Sequence, residues 1–178
     1  MSASACRLLN LLLLGALFAG SLMVYSRLPE RFPVHFGLSG QPDGWAARSL
    51  LSWLALPLIA ASAALLVEGA ARLAARHPEL WSVPDRARFL ALTPEERAPI
   101  IHRLQRFVGL VGLMTTLLLA MVQAAIYHAA TGRTTALPAY VLPAAGIIMA
   151  VIVGMGLRMN ARVATLIRDA HHRRAAAS

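Results

Sequence analysis

Polar and apolar positions segregate into long blocks along this chain instead of alternating with a short period. Four apolar runs, Leu8 to Tyr25, Leu50 to Val67, Val108 to Tyr127 and Tyr140 to Leu157, contain no Asp, Glu, Lys or Arg. At the helical rise each spans about 27–30 Å, the thickness of a bilayer's hydrocarbon core. No water is available there to satisfy backbone N–H and C=O groups, so a run of this kind is helical. The pattern predicts an all-α integral membrane four-helix bundle forming a single domain over residues 1–178. It leaves a loop at 26–49, a polar stretch at 68–107, a short turn from Thr131 to Ala136 and a tail at 158–178.

Shorter patterns sit between the runs. Pro29, Pro33 and Pro42 with Gly37, Gly40 and Gly44 give the first loop a defined path, since proline locks φ and glycine permits positive φ. Within it, Phe32 to Phe36 reads as a short extended segment, followed by Gly-Leu-Ser-Gly and by Gln41-Pro42-Asp43-Gly44, a strong turn signal. Tyr25 and Trp45 flank the loop at the level where amphipathic rings meet headgroups. In the second run, Pro57 removes a backbone donor and predicts a kink unless a neighbour satisfies the freed carbonyl. Helix continues past that run, with Glu68 and Arg72 one turn apart. Thr93-Pro94-Glu95-Glu96 is a capping box with proline at the first helical position, so a helix starts there. Pro99 is expected to bend that helix, giving an interfacial segment that turns in at His102, Arg103 and Arg106. Small residues at spacing four, Gly146, Ala150 and Gly154 in the fourth run and Gly15 with Ala19 and Ala16 with Gly20 in the first, are expected to pack inside the bundle in preference to forming a dimer face.

Composition confirms the solvent. The chain is 58% hydrophobic and only 14% charged, with a mean hydropathy of +0.62, where a soluble domain carries about a quarter charged residues. The first run has a second reading as a cleaved signal peptide, because Arg7 precedes it and Ala19-Gly20-Ser21 supplies small residues. It stays apolar through Leu22, Met23 and Val24, as an uncleaved anchor does, and the anchor is preferred. The single Cys6 excludes an internal disulfide and a cysteine-based zinc cluster.

Charge sets an expected orientation. All 17 basic residues are arginine. With alternating spans, Arg7, the seven arginines between Arg72 and Arg106 and the five between Arg158 and Arg174 share one side, against Arg27, Arg31, Arg48 and Arg133 on the other. The positive-inside rule then places both termini and the stretch 68–107 in the cytoplasm and the Pro/Gly loop outside. The net charge of +9 does not indicate nucleic acid, because Glu68, Glu79, Asp85, Glu95 and Glu96 interleave with the arginines and no binding motif accompanies them. Anionic headgroups account for it better, with the stretch from Arg158 to Arg174, continuing the last helix as a basic extension, suited to that role.

Few groups suggest chemistry. His35 and Asp43 share the ordered loop, and a hairpin closing at Ser39-Gly40 brings them together, with His128 as a third group if a metal or a proton were sensed. The preferred reading has Asp43 capping its own turn and His35 meeting a carbonyl or headgroups, so no metal is expected. Gln123, accompanied by Thr115 and Thr116, is the strongly polar side chain deep in a span, and bonding to a neighbouring helix is preferred over lining a solute path. Without ionisable residues in any span, an ion-coupled transport cycle lacks its usual parts. No metalloprotease, nucleophile-elbow or phosphate-loop motif appears, so neither enzymatic activity nor a cofactor is expected. His171, His172, Arg173 and Arg174 read as a solvated tail.

The order Leu28-Pro29, Phe32-Pro33-x-His35-Phe36 and Gly40-x-x-Asp43-Gly44, placed between a first and a second span, resembles the signature of the bacterial membrane family known as domain of unknown function 1648. The same domain opens the SdpI-type immunity proteins, which protect against a secreted killing factor and take part in signalling its presence. The resemblance is strong over about residues 5–70 and looser around Trp81 and Pro94 to Arg97. It implies a multi-pass protein of the bacterial cytoplasmic membrane whose outer loop is its distinguishing part. The positions matching the motif, Pro29, Pro33, His35, Phe36, Gly40 and Asp43, are the candidate binding residues. The expected function is recognition of an envelope ligand, a peptide or protein, through that loop, with the lipid bilayer as the other partner. The alternatives are small-solute transport past Gln123 and Pro57, or an accessory subunit of a membrane complex.

Overall fold

The computed structural model describes residues 2–37 and 39–176; the centre of the Gly37–Gly40 turn and the last two residues of the basic tail lie outside the described residues. In chain order it has α1 (Ala3–Val24), a 3-10 turn (Tyr25–Arg27), strands β1 (Arg31–Phe36) and β2 (Pro42–Ala47), α2 (Leu50–Arg76), a second 3-10 turn (Pro78–Leu80), α3 (Arg86–Ala91), α4 (Pro94–Ala130) and α5 (Val141–Ala175). The four long helices are those able to cross a membrane by length and hydropathy. Many large apolar side chains on them, including Leu11, Leu12, Leu65, Leu66 and Leu157, face outward as lipid-facing residues do. The all-α expectation holds, with one small antiparallel sheet inserted between the first two spans.

Helix starts follow local chemistry. Ser2 caps α1, its hydroxyl accepting from the Ala5 amide at 3.1 Å. Ser49 and Ser52 exchange bonds across the first turn of α2. At α4, Thr93 and Glu96 form the expected capping box, the Thr93 amide donating to Glu96 Oε2 at 2.9 Å. That helix then runs unbroken through Pro99 to Ala130. Pro99, expected to bend this helix, does not interrupt it. Pro99 removes only the donor for the Glu95 carbonyl, and both residues are exposed, so water satisfies the freed group without a break.

The centre of the bundle is α4, packed against α1, α2 and α5. Midway along, Leu14, Leu17 and Ala60 form a small core with Ala64, Leu119 and Ala120. The close approaches use glycines of α4 and α5 other than those of the predicted stripes. A Cβ on Gly109 would stand 3.0 Å from the Cys6 Cβ, and one on Gly156 would meet the Phe107 ring at 3.6 Å. Around Gly15, Gly20, Gly146 and Gly154 nothing lies within 4 Å of such a Cβ. The expectation that these stripes pack inside the bundle is overturned; they face outward.

Pro57 and Gln123 meet. Trp53 stands four residues before Pro57, so its carbonyl is the one deprived of an intrahelical donor. Gln123 of α4 donates its amide Nε2–H to this carbonyl at 3.1 Å, both residues being buried. The side-chain role preferred from sequence is thus realised with a defined partner. Thr115 and Thr116 bond back to the carbonyls of Val111 and Gly112 within their own helix.

At the end remote from the hairpin, the helices outrun the apolar runs. α4 and α5, with 37 and 35 residues, reach about 50–55 Å at the helical rise, well beyond a hydrocarbon core of about 30 Å. The excess folds into a second core, in which Phe89, Leu92, Ile100, Leu104, Val163, Ile167 and Ala170 are buried, with Trp81 packed against them. The basic stretch from Arg158 continues the last helix as expected, forming the last five turns of α5, but its charged end at His171 to Arg174, read as solvated, is fixed. Arg174 grips Glu96, its Nε donating to Oε1 at 2.9 Å, and also donates to the Ala91 carbonyl at 2.9 Å. The His171 ring lies 3.1 Å from the Arg88 carbonyl through Nε2. On the same side, Glu68 pairs with Arg72 at 2.7 Å, as its spacing predicts, and with Arg7 of α1 at 2.8 Å.

Two outcomes test these contacts. Gln123→Leu strands the Trp53 carbonyl and should cost about 1–2 kcal/mol in a reversible unfolding assay in mixed micelles. In a Pro57→Ala background, where residue 57 can donate, the same change should cost clearly less; equal costs in both backgrounds would refute the pairing. The second concerns pH. The Arg174 guanidinium, and after it the Thr93 amide, hold the Glu96 carboxyl below its ordinary value of 4.5. A depressed carboxylate contributes stability above its unfolded pKa and loses it as pH falls through the folded value. Trp81 fluorescence should therefore report loosening of the second core below about pH 4.5, with a smaller acid response in Glu96→Gln.

Candidate functional site

The loop singled out by its prolines and glycines is an antiparallel hairpin. β1 and β2 pair Arg31 with Ala47, Phe32 with Ala46, Pro33 with Trp45, His35 with Gly44 and Phe36 with Pro42, with register shifts on either side of His35. The reversal occurs at Gly37–Gly40, where the Gly40 amide donates to the Gly37 carbonyl at 2.9 Å and Gly40 adopts φ +77°. Pro42-Asp43-Gly44, predicted as a turn, lies within β2. The glycines before it close the chain first, and the segment after them is left to pair with β1.

The hairpin is fastened at both ends. At its base Leu28 and Phe32 are buried against Trp53, Phe32 meeting the Trp53 ring edge-on with centroids 5.5 Å apart. Trp53 in turn donates its indole N–H to the Ser21 carbonyl of α1 at 2.8 Å and lies 6.4 Å from the Tyr127 ring of α4. Arg48 holds the strand ends together. Its guanidinium donates to the Leu28 carbonyl at 2.7 Å and its amide to the Glu30 carbonyl at 2.8 Å. At the tip, the Leu137 amide from the α4–α5 connection donates to the Gly40 carbonyl at 2.8 Å.

On this frame the predicted residues divide. Pro33 and Gly40 are buried, Phe36 is half-buried against the Trp53 cluster, and Pro29 is exposed ahead of β1. His35 and Asp43 are brought together: the His35 Nδ1–H donates to Asp43 Oδ1 while their side chains remain 71% and 53% exposed. The Asp43 carboxylate thus serves the imidazole, where a backbone cap was expected. The irregular register leaves adjacent Val34 and His35 both facing outward, as bulges do when they re-aim a side chain. Trp45 is exposed on the partner strand. With Nδ1 engaged, Nε2 is the remaining hydrogen-bonding atom of the exposed His35 ring. His128 packs its ring 5.9 Å from that of Tyr127, and among the described residues no group of three or more His, Cys, Asp or Glu forms a metal site.

Residues outside the predicted set carry the site's geometry. Phe32 and Leu28 anchor it, Arg48 clamps it, and Gly44 makes the His35–Asp43 pair sterically possible, since a Cβ there would stand 2.8 Å from the His35 Cβ. Arg48 gave a faint signal as an arginine beside the Ser49 cap. Trp53 gave a better one, four residues ahead of a proline within a span.

Fold and hairpin together define a multi-pass membrane protein with a β-hairpin packed and hydrogen-bonded to one end of its helices. The family model for the domain of unknown function DUF1648 matches residues 11–61, from the middle of α1 through the hairpin into α2. A protein of Archaeoglobus fulgidus described as uncharacterized is 30% identical over 137 residues, covering 75% of each chain. The chain belongs to the DUF1648 family. No solved structure matches it.

Gly44→Ala should disorder the hairpin, exposing the β1 and β2 amides to hydrogen exchange and separating His35 from Asp43. Gly15→Ala, at a position open to its surroundings, serves as the comparison and should leave exchange unchanged. Unaltered hairpin protection in Gly44→Ala would contradict the close approach.

Proposed function

We propose that this protein is a non-enzymatic membrane receptor-like element whose hairpin recognises a peptide or protein ligand on the outer side of the cytoplasmic membrane. The observation that carries the reading is the hairpin's construction. A recognition surface gains affinity when it is ordered before binding, and here the root is buried while His35, Asp43, Val34 and Trp45 face outward. The exposed patch offers an aromatic ring, an aliphatic side chain and a paired imidazole and carboxylate. That mixture suits a polypeptide better than an ion or a sugar.

Arginine asymmetry supports the orientation, with both termini and the second core in the cytoplasm and the hairpin outside. Resemblance of the opening segment to the SdpI-type immunity proteins supports sensing or immunity as the biological setting. The transport alternative finds less support, because Gln123 already serves the Trp53 carbonyl.

A photo-crosslinking residue placed at Val34 in the native host should yield a discrete adduct from outside the membrane. His35→Ala and Asp43→Ala should each remove that adduct while the amount of protein in the membrane stays constant. Recognition by the pair would be refuted by adducts that persist in both variants, or by no adduct in the unaltered protein.

A further inference from the structure

The apolar runs of α4 and α5 both end in arginine on the side remote from the hairpin. Arg103 and Arg106 precede Val108, while Arg158 and Arg162 follow Leu157. The structure gathers all four around one cleft of about 490 Å3 between the two helices, with Phe107, Leu110 and Met155 as its apolar lining. No acidic residue lines it. Several carboxylates at this end of the molecule are engaged elsewhere, Glu68 with Arg7 and Arg72, Asp85 with Arg88, and Glu96 with Arg174, and Glu95 and Asp169 do not line the cleft. The four cleft arginines have no ion-pair partner among the described residues.

We infer that this cleft is a binding site for an anionic phospholipid, with a headgroup carrying two phosphates preferred over one. Four like charges around one concavity repel one another, and an anion between them reverses the sign of that interaction. Guanidinium groups match phosphate oxygens in bidentate geometry. The lining decides between sources of phosphate. Free phosphate satisfies the arginines but leaves Phe107, Leu110 and Met155 without a partner, whereas a lipid places its phosphates at the arginines and its acyl chains along those side chains into the bilayer. Basic clefts between membrane helices at the headgroup level take such lipids in general. Four cationic groups also exceed what one phosphodiester neutralises, which favours the doubly charged headgroup. This site is independent of the hairpin and of which side of the membrane the hairpin faces.

The test is native mass spectrometry of the full chain released from detergent with cardiolipin, phosphatidylglycerol or phosphatidylcholine supplied in turn. The unaltered protein should retain one cardiolipin most strongly, phosphatidylglycerol less and phosphatidylcholine least, and the retention should fall as ionic strength rises. Arg103→Gln combined with Arg158→Gln should weaken cardiolipin retention about tenfold, while Arg31→Gln with Arg133→Gln, at the hairpin end, should leave it unchanged. Circular dichroism checks that each variant remains helical, and the ionic-strength series on the unaltered protein stands even if one does not. Equal retention of phosphatidylcholine, salt-independent retention or undiminished cardiolipin in a folded cleft variant would overturn the inference. Displacement of the lipid by millimolar inorganic phosphate would overturn it in favour of a free-anion site.

Discussion

A single backbone carbonyl, that of Trp53, organises the half of the molecule nearest the hairpin. Pro57 deprives it of its intrahelical donor inside a span, where an unpaired polar group costs more than in water. Gln123 supplies the missing hydrogen at 3.1 Å and so fixes the rotation of α4 against α2. The Trp53 side chain does the same in the other direction, tying itself to the Ser21 carbonyl of α1 and receiving the edge of Phe32. One residue thereby joins three membrane helices and the hairpin, and each contact restricts the others. Apolar burial alone does not choose among helix rotations within a lipid solvent, because the lipid is as apolar as the core. Directional bonds at Trp53 do choose.

The opposite end rests on different physics. The core of Phe89, Ile100, Val163 and Ile167 lies past the apolar runs, in reach of water, so the hydrophobic effect acts on it directly. Burying a side chain of that size is worth about 2–3 kcal/mol each. Its polar boundary is closed by Arg174 on Glu96, which joins the last turn of α5 to the first turn of α4. The molecule is therefore clamped at both ends by unlike means, while the middle is held by small side chains such as Ala60 and Ala120 and by the contact of Gly109 with Cys6.

The membrane spans and the α4 cap were legible because each follows from local chemistry: unbroken apolar length in one case, Thr93 to Glu96 in the other. The effect of Pro99 within α4 was less so. Proline disfavours helix interiors, and whether Pro99 breaks one depends on whether water reaches the Glu95 carbonyl, which is a tertiary fact. The second core stayed hidden for a similar reason. Between Arg158 and Arg174 the arginines dominate the composition, and the buried Val163, Ile167 and Ala170 gain meaning only once α3 supplies Phe89. Small-residue spacing misled because Gly and Ala are abundant here, so a stripe arises without a partner. The partner of Gly109 could not be read from spacing on one helix.

For the hairpin, the meeting of His35 and Asp43 and the closure at Ser39-Gly40 were both foreseeable from the sequence, which also offered Gln41-Pro42-Asp43-Gly44 as a second turn within eight residues. Gly40, whose positive φ and bond to Leu137 need that position, decides in favour of the first. This division bears on what a motif of this kind says. Pro33, Phe36, Gly40 and Gly44 meet requirements of burial, packing, backbone angle and close approach, all of which exist without any ligand. Phe32 belongs with them through Trp53. A chain carrying these residues in order is thereby committed to the hairpin's shape, and shape alone names no partner. On the recognition we propose, information about a partner resides in what the frame leaves outward: the His35–Asp43 pair and the side chains of Val34 and Trp45 beside it.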